Sequence, residues 1–142
     1  MGPLMPTLNK AIVLRFNDEV IQQCNRRAFD ALVAHDFINH TTASGHPEGR
    51  ESLWNTFHSV LRPGLSQIQV EVLDQLAEGE KVATRKRISA VHTGELLGIA
   101  ATGRAVVIEV MDIVRLNDGQ YAEHWGINTL SSVLAALRAT EL

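Results

Sequence analysis

The hydrophobic period of this chain changes once, near Ser66, and that change limits the folds open to it. Before Ser66 apolar residues recur at helical spacing. Leu8, Ile12, Phe16, Val20 and Cys24 lie four apart, and Ala11, Val13 and Ile21 widen the stripe. After Ser66, Ile68, Val70 and Val72 alternate with polar residues, which is the period of a strand. Helices first and strands after is the order of an α+β fold, with the helices laid on one face of a mostly antiparallel sheet. A chain of 142 residues suits one such domain, 1–142, and no repeat or linker divides it.

The spacing predicts a first helix capped by Thr7 and running to about Cys24. A second is expected near Arg27 to Ala34, and a third near Arg50 to Leu61, stopped by Pro63-Gly64. His35 to His40 reads as the exit from the second helix into an extended piece, and Thr41 to Gly49 as a loop. Strands are expected at Lys81 to His92, Ala105 to Leu116 and Tyr121 to Asn128, and a short helix opens near Thr129.

The strand from Ala105 to Leu116 has two faces. Val106, Ile108, Val110, Asp112 and Val114 share one; Val107, Glu109, Met111, Ile113 and Arg115 share the other. A carboxylate among β-branched side chains is costly unless it is paired, hydrogen-bonded or protonated, so Asp112 is the first residue to question. The turn decides what faces it. A three-residue loop Asn117-Asp118-Gly119 sets Asp112 opposite His124, at a Cβ separation of roughly 4.5–5.5 Å. A two-residue Asp-Gly turn sets it opposite Trp125. The first register is preferred here, and it places Asp112, His124, Gly126 and Asn128 on one face.

Charge and composition exclude several functions. The net charge is −3, which offers no basic excess for a nucleic acid. The triplet Arg85-Lys86-Arg87 alternates faces on a strand and forms no patch. The single cysteine, Cys24, rules out an internal disulfide and fits a reducing cytoplasm. The opening MGPLMPTLNK lacks a signal-peptide core, Pro6 stands where a myristoylation motif needs Ser or Thr, and no run approaches the roughly 20 apolar residues of a membrane span. A cytoplasmic protein without membrane association is expected. None of the six histidines follows His-x-His or His-x-x-x-His spacing, so no metal is expected.

Taken together, several short patterns resemble a known family. His92-Thr-Gly-Glu is followed by Gly98-Ile, Thr102-Gly-Arg, Asp112-Ile-Val-Arg115, Asp118-Gly119 and Glu123-His124-Trp125. Upstream stand Asp36-Phe-Ile-Asn-His40 and Gly49-Arg50. Their order and spacing resemble the polyketide-cyclase and ester-cyclase branch of the NTF2-like superfamily, the SnoaL-like proteins, over roughly Asn17 to Leu137. The resemblance implies a cone-shaped fold, N-terminal helices packed on a strongly curved sheet around an internal pocket. It implies cofactor-free aldol ring closure, with a carboxylate and a histidine on the last two long strands handling the proton. The chain departs from the pattern after the His-Trp pair: where the family often carries Asp, this sequence has Gly126 and Asn128. The candidate acid and base that remain are Asp112 and His124.

Each candidate has two readings. Asp112 is a general base or acid whose pKa desolvation raises, or a structural acid bonded to His124 or a backbone amide. His124 shuttles a proton, or is a half-buried strand histidine. His40 and His92 bind a substrate carbonyl at the pocket mouth, or order loops. Arg85 anchors a carbonyl or anion, or pairs with an acid on the next strand. Trp125 and Tyr121 pack against a helix or subunit, or stack on substrate. Asn128 donates to an enolate oxygen.

The expected function is acid–base chemistry on a small hydrophobic carbonyl compound, without a cofactor. The alternative is a non-catalytic small-molecule-binding protein of the same fold. Epoxide-hydrolase chemistry ranks last, because it needs two acids around an arginine. The apolar outward residues Val107, Met111 and Ile113 lead to the expectation of at least a homodimer.

Overall fold

The structure, a computed structural model, describes residues 4–139. Helix α1 spans Leu4–Phe16 and runs on as a π-helical turn, Asn17–Gln22. It starts upstream of Thr7, which therefore lies inside the helix and not at its cap. Pro6 falls in the first turn, where its missing N–H leaves no hydrogen bond unmade. Val13, Phe16, Val20 and Ile21 are buried against the sheet. Burial of such side chains contributes roughly 1.5–3 kcal/mol each.

Helix α2, Arg26–Leu32, is capped by Asn25, whose side chain accepts from the Ala28 N–H at 3.1 Å. It passes directly into strand β1, Val33–Asn39. Helix α3, Arg50–Asn55, continues through a π-helical stretch, Thr56–Leu61, and a last turn α4, Arg62–Gly64. Four long strands follow: β2, Leu65–Glu78; β3, Lys81–His92; β4, Ala105–Asn117; and β5, Gln120–Asn128. Helix α5, Leu130–Ala139, comes last.

The sheet order is β1-β5-β4-β3-β2. The long strands pair antiparallel, and β1 pairs parallel with β5. The helices pack on one face of this curved sheet, as the α+β expectation required. On β4 the buried side is Val106, Ile108, Asp112, Val114 and Leu116, while Val107, Met111 and Ile113 are exposed. The alternating pattern thus predicted the faces correctly.

The β4–β5 turn differs from expectation. Asn117 pairs with Gln120, and Asp118 and Gly119 both have positive φ, 51° and 77°. This is a two-residue turn whose left-handed residues match the twist of the strands. A bulge follows, so that Leu116 pairs with Tyr121 but Arg115 pairs with Glu123, leaving Ala122 as the extra residue. Asp112 therefore faces Gly126, and His124 faces Val114. The displacement from the expected register is two residues. An even displacement preserves the faces, so His124 becomes a diagonal neighbour of Asp112 and stays on its side of the sheet.

Candidate active site

A cavity of about 130 Å³ lies between the helices and the inner sheet face. That is close to the roughly 150 Å³ known to admit a benzene ring. Its apolar walls include Phe16, Leu53, Phe57, Ile88, Ile108 and Val110. Its polar lining includes Lys86, Asp112, Tyr121, His124 and Asn128.

The polar groups form a connected network. Strand alternation turns Val82, Thr84, Lys86 and Ile88 inward together, so the middle residue of the basic triplet enters the core while Arg85 and Arg87 leave it. Lys86 is only 4% exposed, and its ammonium donates to Asn17 Oδ1 at 2.7 Å and to Asp112 Oδ2 at 3.3 Å. Asn17 opens the π-helical turn and is itself oriented by donating from Nδ2 to the Val13 carbonyl at 2.8 Å. Such turns recur at functional sites.

On the other flank, His124 Nε2 lies 3.4 Å from Asp112 Oδ2. Its Nδ1 is 3.0 Å from Asn39 Oδ1, which also accepts from the Thr41 N–H. An oxygen that already accepts from an amide makes His124 Nδ1 the donor in that pair. Nε2 is then the nitrogen turned to the carboxylate. The parallel pairing of Asn39 with His124 brings these two residues together.

The titration of Asp112 runs against expectation. Burial pushes its pKa up, but the charge of the Lys86 ammonium, together with the charge and hydrogen bond of His124, outweighs burial and holds it below the ordinary value. Asp112 is thus an ionised, weak base and not a desolvated acid of raised pKa. Tyr121 shifts the other way: burial, aided by the Asp112 charge, raises its pKa well above 10. Its ring stacks on Phe16 with centroids 4.2 Å apart, and its hydroxyl stays protonated.

The sequence-predicted residues separate into two groups. Asp112, His124 and Asn128 meet at the cavity; the Asn128 side-chain oxygen also accepts from the Leu130 N–H at 2.9 Å, at the start of α5. Arg85 lies on the opposite sheet face and pairs with Asp74 at 2.8 Å, the structural one of its two readings. Trp125 is outward too, stacked on His40 at 4.7 Å with nearly parallel planes, and the Lys81 ammonium lies over its ring. His40 Nε2 bonds Glu123 at 2.8 Å, outside the cavity. His92 is fully buried and bonds Thr102 Oγ1 through Nδ1 at 2.9 Å, so it orders the loop between β3 and β4.

Sequence reasoning missed Lys86, Asn17 and Asn39, and gave Tyr121 packing or substrate stacking but no hydrogen-bonding role. Lys86 was findable, since it occupies an inward position on a strand whose other inward residues are mostly apolar. Asn17 and Asn39 carry no local signal, because their partners arrive from other elements. Among the described residues, no group of three or more His, Cys, Asp or Glu side chains is arranged to hold a metal ion.

The sequence matches the profile of the SnoaL-like polyketide cyclases over residues 11–137. The chain belongs to that family. A proposed SnoaL-like polyketide cyclase from Jannaschia sp. CCS1 is 27% identical, with 96% of this chain and 95% of that one covered and a TM-score of 0.82. AclR from Streptomyces galilaeus, a proposed hydroxylase, is 22% identical, with coverages of 94% and 98% and a TM-score of 0.82. An epoxide hydrolase of M. tuberculosis, described as LEH-like, is 13% identical, with coverages of 94% and 92% and a TM-score of 0.69. The last two share the SnoaL-like, NTF2-like fold alone, and a shared fold does not dictate one reaction. Comparison with curated proteins gave no match. No helix among the described residues is long and apolar enough to cross a membrane.

Proposed function

We propose that this SnoaL-like protein catalyses cofactor-independent proton transfer on a compact, hydrophobic carbonyl compound, of the kind that leads to aldol ring closure. The observation that carries the reading is the lining of the cavity: one ionised carboxylate, Asp112, held between Lys86 and His124 inside largely apolar walls. Asp112 takes the α-proton. His124 Nε2, on the same carboxylate oxygen as Lys86, gives its proton to the enolate oxygen and then recovers one from Asp112. The Lys86 charge keeps Asp112 ionised, and Tyr121 and Asn128 offer donors to the oxygen on which enolate charge develops. Because Asp112 is a weak base, the substrate is a carbon acid already activated by a second carbonyl.

The test is deuterium exchange at the α-carbon of a small cyclic 1,3-dicarbonyl compound in D2O, followed by NMR. Asp112→Asn should slow enzyme-dependent exchange by about 10²-fold or more. Exchange that survives in the variant removes Asp112 from the mechanism.

The second reading, a ligand-binding protein without catalysis, is favoured by the lowered pKa of Asp112. It predicts that an apolar ligand binds and is returned unchanged. In either case we assign the outward face, with Leu76, Met111, Ile113 and Ile127 exposed, to contact with a second copy of the chain in the cytoplasm. Light scattering that gives a 15.6 kDa species at all concentrations contradicts the dimer.

A further inference from the structure

We infer that Gly126 is a positioning residue for the Asp112–His124 pair: the absence of its side chain is what lets the His124 imidazole reach Asp112. Gly126 is the direct cross-strand partner of Asp112, whereas His124 pairs with Val114 and must lean along the strand to come within 3.4 Å of the carboxylate. The space it leans into is the space a residue at 126 would fill. A Cβ built on Gly126 falls 3.1 Å from His124 Cε1, 3.2 Å from its Nε2 and 3.2 Å from Asp112 Cβ.

The backbone supplies no other reason for glycine. Gly126 is not among the glycines with positive φ, so an L side chain fits its conformation. Its N–H donates to Thr41 Oγ1 at 2.7 Å, a bond that any residue but proline would make. What glycine uniquely provides here is room.

Magnitudes make that room matter. Proton transfer needs heavy atoms within about 2.6–3.2 Å. The ring at 3.4 Å must close further, and a methyl group beside Nε2 obstructs the closure. Asp112 Cβ is carried by the β4 backbone and gives less readily than a side-chain ring, so most of the room at Cε1 and Nε2 must come from His124. A retreat of a few tenths of an ångström already takes the contact beyond hydrogen-bonding range.

This inference rests on the reading of Asp112 and His124 as the working pair, but its test does not depend on turnover. In the full-length protein at fixed pH, ring ¹⁵N NMR of His124 is recorded with and without Asp112→Asn, in wild type and in Gly126→Ala. The substitution at 112 should move the Nε2 resonance in wild type, and this response should be lost in Gly126→Ala. An equal response in both backgrounds overturns the inference. Should Gly126→Ala fail to fold, His124→Ala/Gly126→Ala decides. Removing the ring relieves two of the three close contacts and leaves the 3.2 Å approach to Asp112 Cβ, so a double variant that regains the fold supports the inference, and one that stays unfolded assigns the need for glycine to Asp112 alone and overturns it. Where wild type does exchange α-protons, Gly126→Ala should slow exchange about tenfold or more. Coupling without exchange in wild type sinks the enzymatic reading alone; exchange that is insensitive to Gly126→Ala sinks this inference alone.

Discussion

Two sets of charged side chains sit on the same strands, one on each face of the sheet, and they have opposite physical meaning. On the inner face Lys86, Asp112 and His124 join across β3, β4 and β5, with Lys86 and Asp112 side chains only 6% and 7% exposed. On the outer face Arg115 bridges Glu123 and Glu80, Glu123 bonds His40, and Arg85 pairs with Asp74. The outer contacts span the inner ones in length: Arg115 lies 2.6 Å from Glu123 and 3.8 Å from Glu80, against 3.3 Å for Lys86 to Asp112. Distance therefore does not rank them. Solvent does, because water screens the outer charges and leaves the inner ones to depend on each other.

The largest expected effect follows from breaking the inner set. Lys86→Met strands a buried carboxylate and should cost about 3–5 kcal/mol in chemical denaturation. Lys86→Met/Asp112→Leu, which removes both charges, should recover most of that loss, because the desolvation of the pair vanishes with it. Equal destabilisation in the single and double variants would show that Lys86 acts through packing and not through charge.

Next in size is the response to acid. The folded-state pKa of Asp112 lies below its unfolded value, near the ordinary 3.8. The stability it contributes is therefore fully present above that value and is lost as pH falls through the lower, folded-state pKa. Wild type should lose stability more steeply than Asp112→Asn over this acid range, as read by thermal melts. Tyr121 carries the mirror case. Its folded-state pKa is raised, so its contribution is intact below about 10 and declines above it. Tyr121→Phe should flatten the alkaline limb.

The smallest effect is expected outside. Arg85→Ala removes a pair whose partners are 48% and 67% exposed, and should leave the thermal midpoint near that of wild type. This holds for the monomer at low protein concentration; a drop in midpoint that grows with concentration would report the contact with a second copy proposed for this face.

The contrast also explains what the sequence could disclose. Alternation along β4 placed Asp112 inside and Arg115 outside, because strand periodicity needs no knowledge of partners. The change of period at Ser66 yielded the α+β order for the same reason. The hairpin register was not legible: a bulge at Ala122 follows from how β5 fits both β4 and β1, and no residue near the turn announces it. His124 still reached the correct face because the error was even. The sign of the Asp112 pKa shift was missed along with Lys86. Burial alone raises a carboxyl pKa, and only a cation from the neighbouring strand reverses it. Arg85 was the wrong member of the triplet to weigh for the cavity, since inward parity on β3 belongs to Lys86.

Two histidines offer the most direct test of the claim that the inner face does the chemistry. His40 and His124 are joined through the strand pairing, where the His40 N–H donates to the His124 carbonyl at 2.9 Å. Each ring lies against a carboxylate, Glu123 for one and Asp112 for the other. They differ in the face they occupy. The measurement is α-proton exchange by His124→Ala and His40→Ala, each checked for an intact fold by circular dichroism. The inner-face account predicts that His124→Ala slows exchange by about 10²-fold or more while His40→Ala exchanges as wild type does. Equal losses in the two variants, or none in His124→Ala, would contradict it.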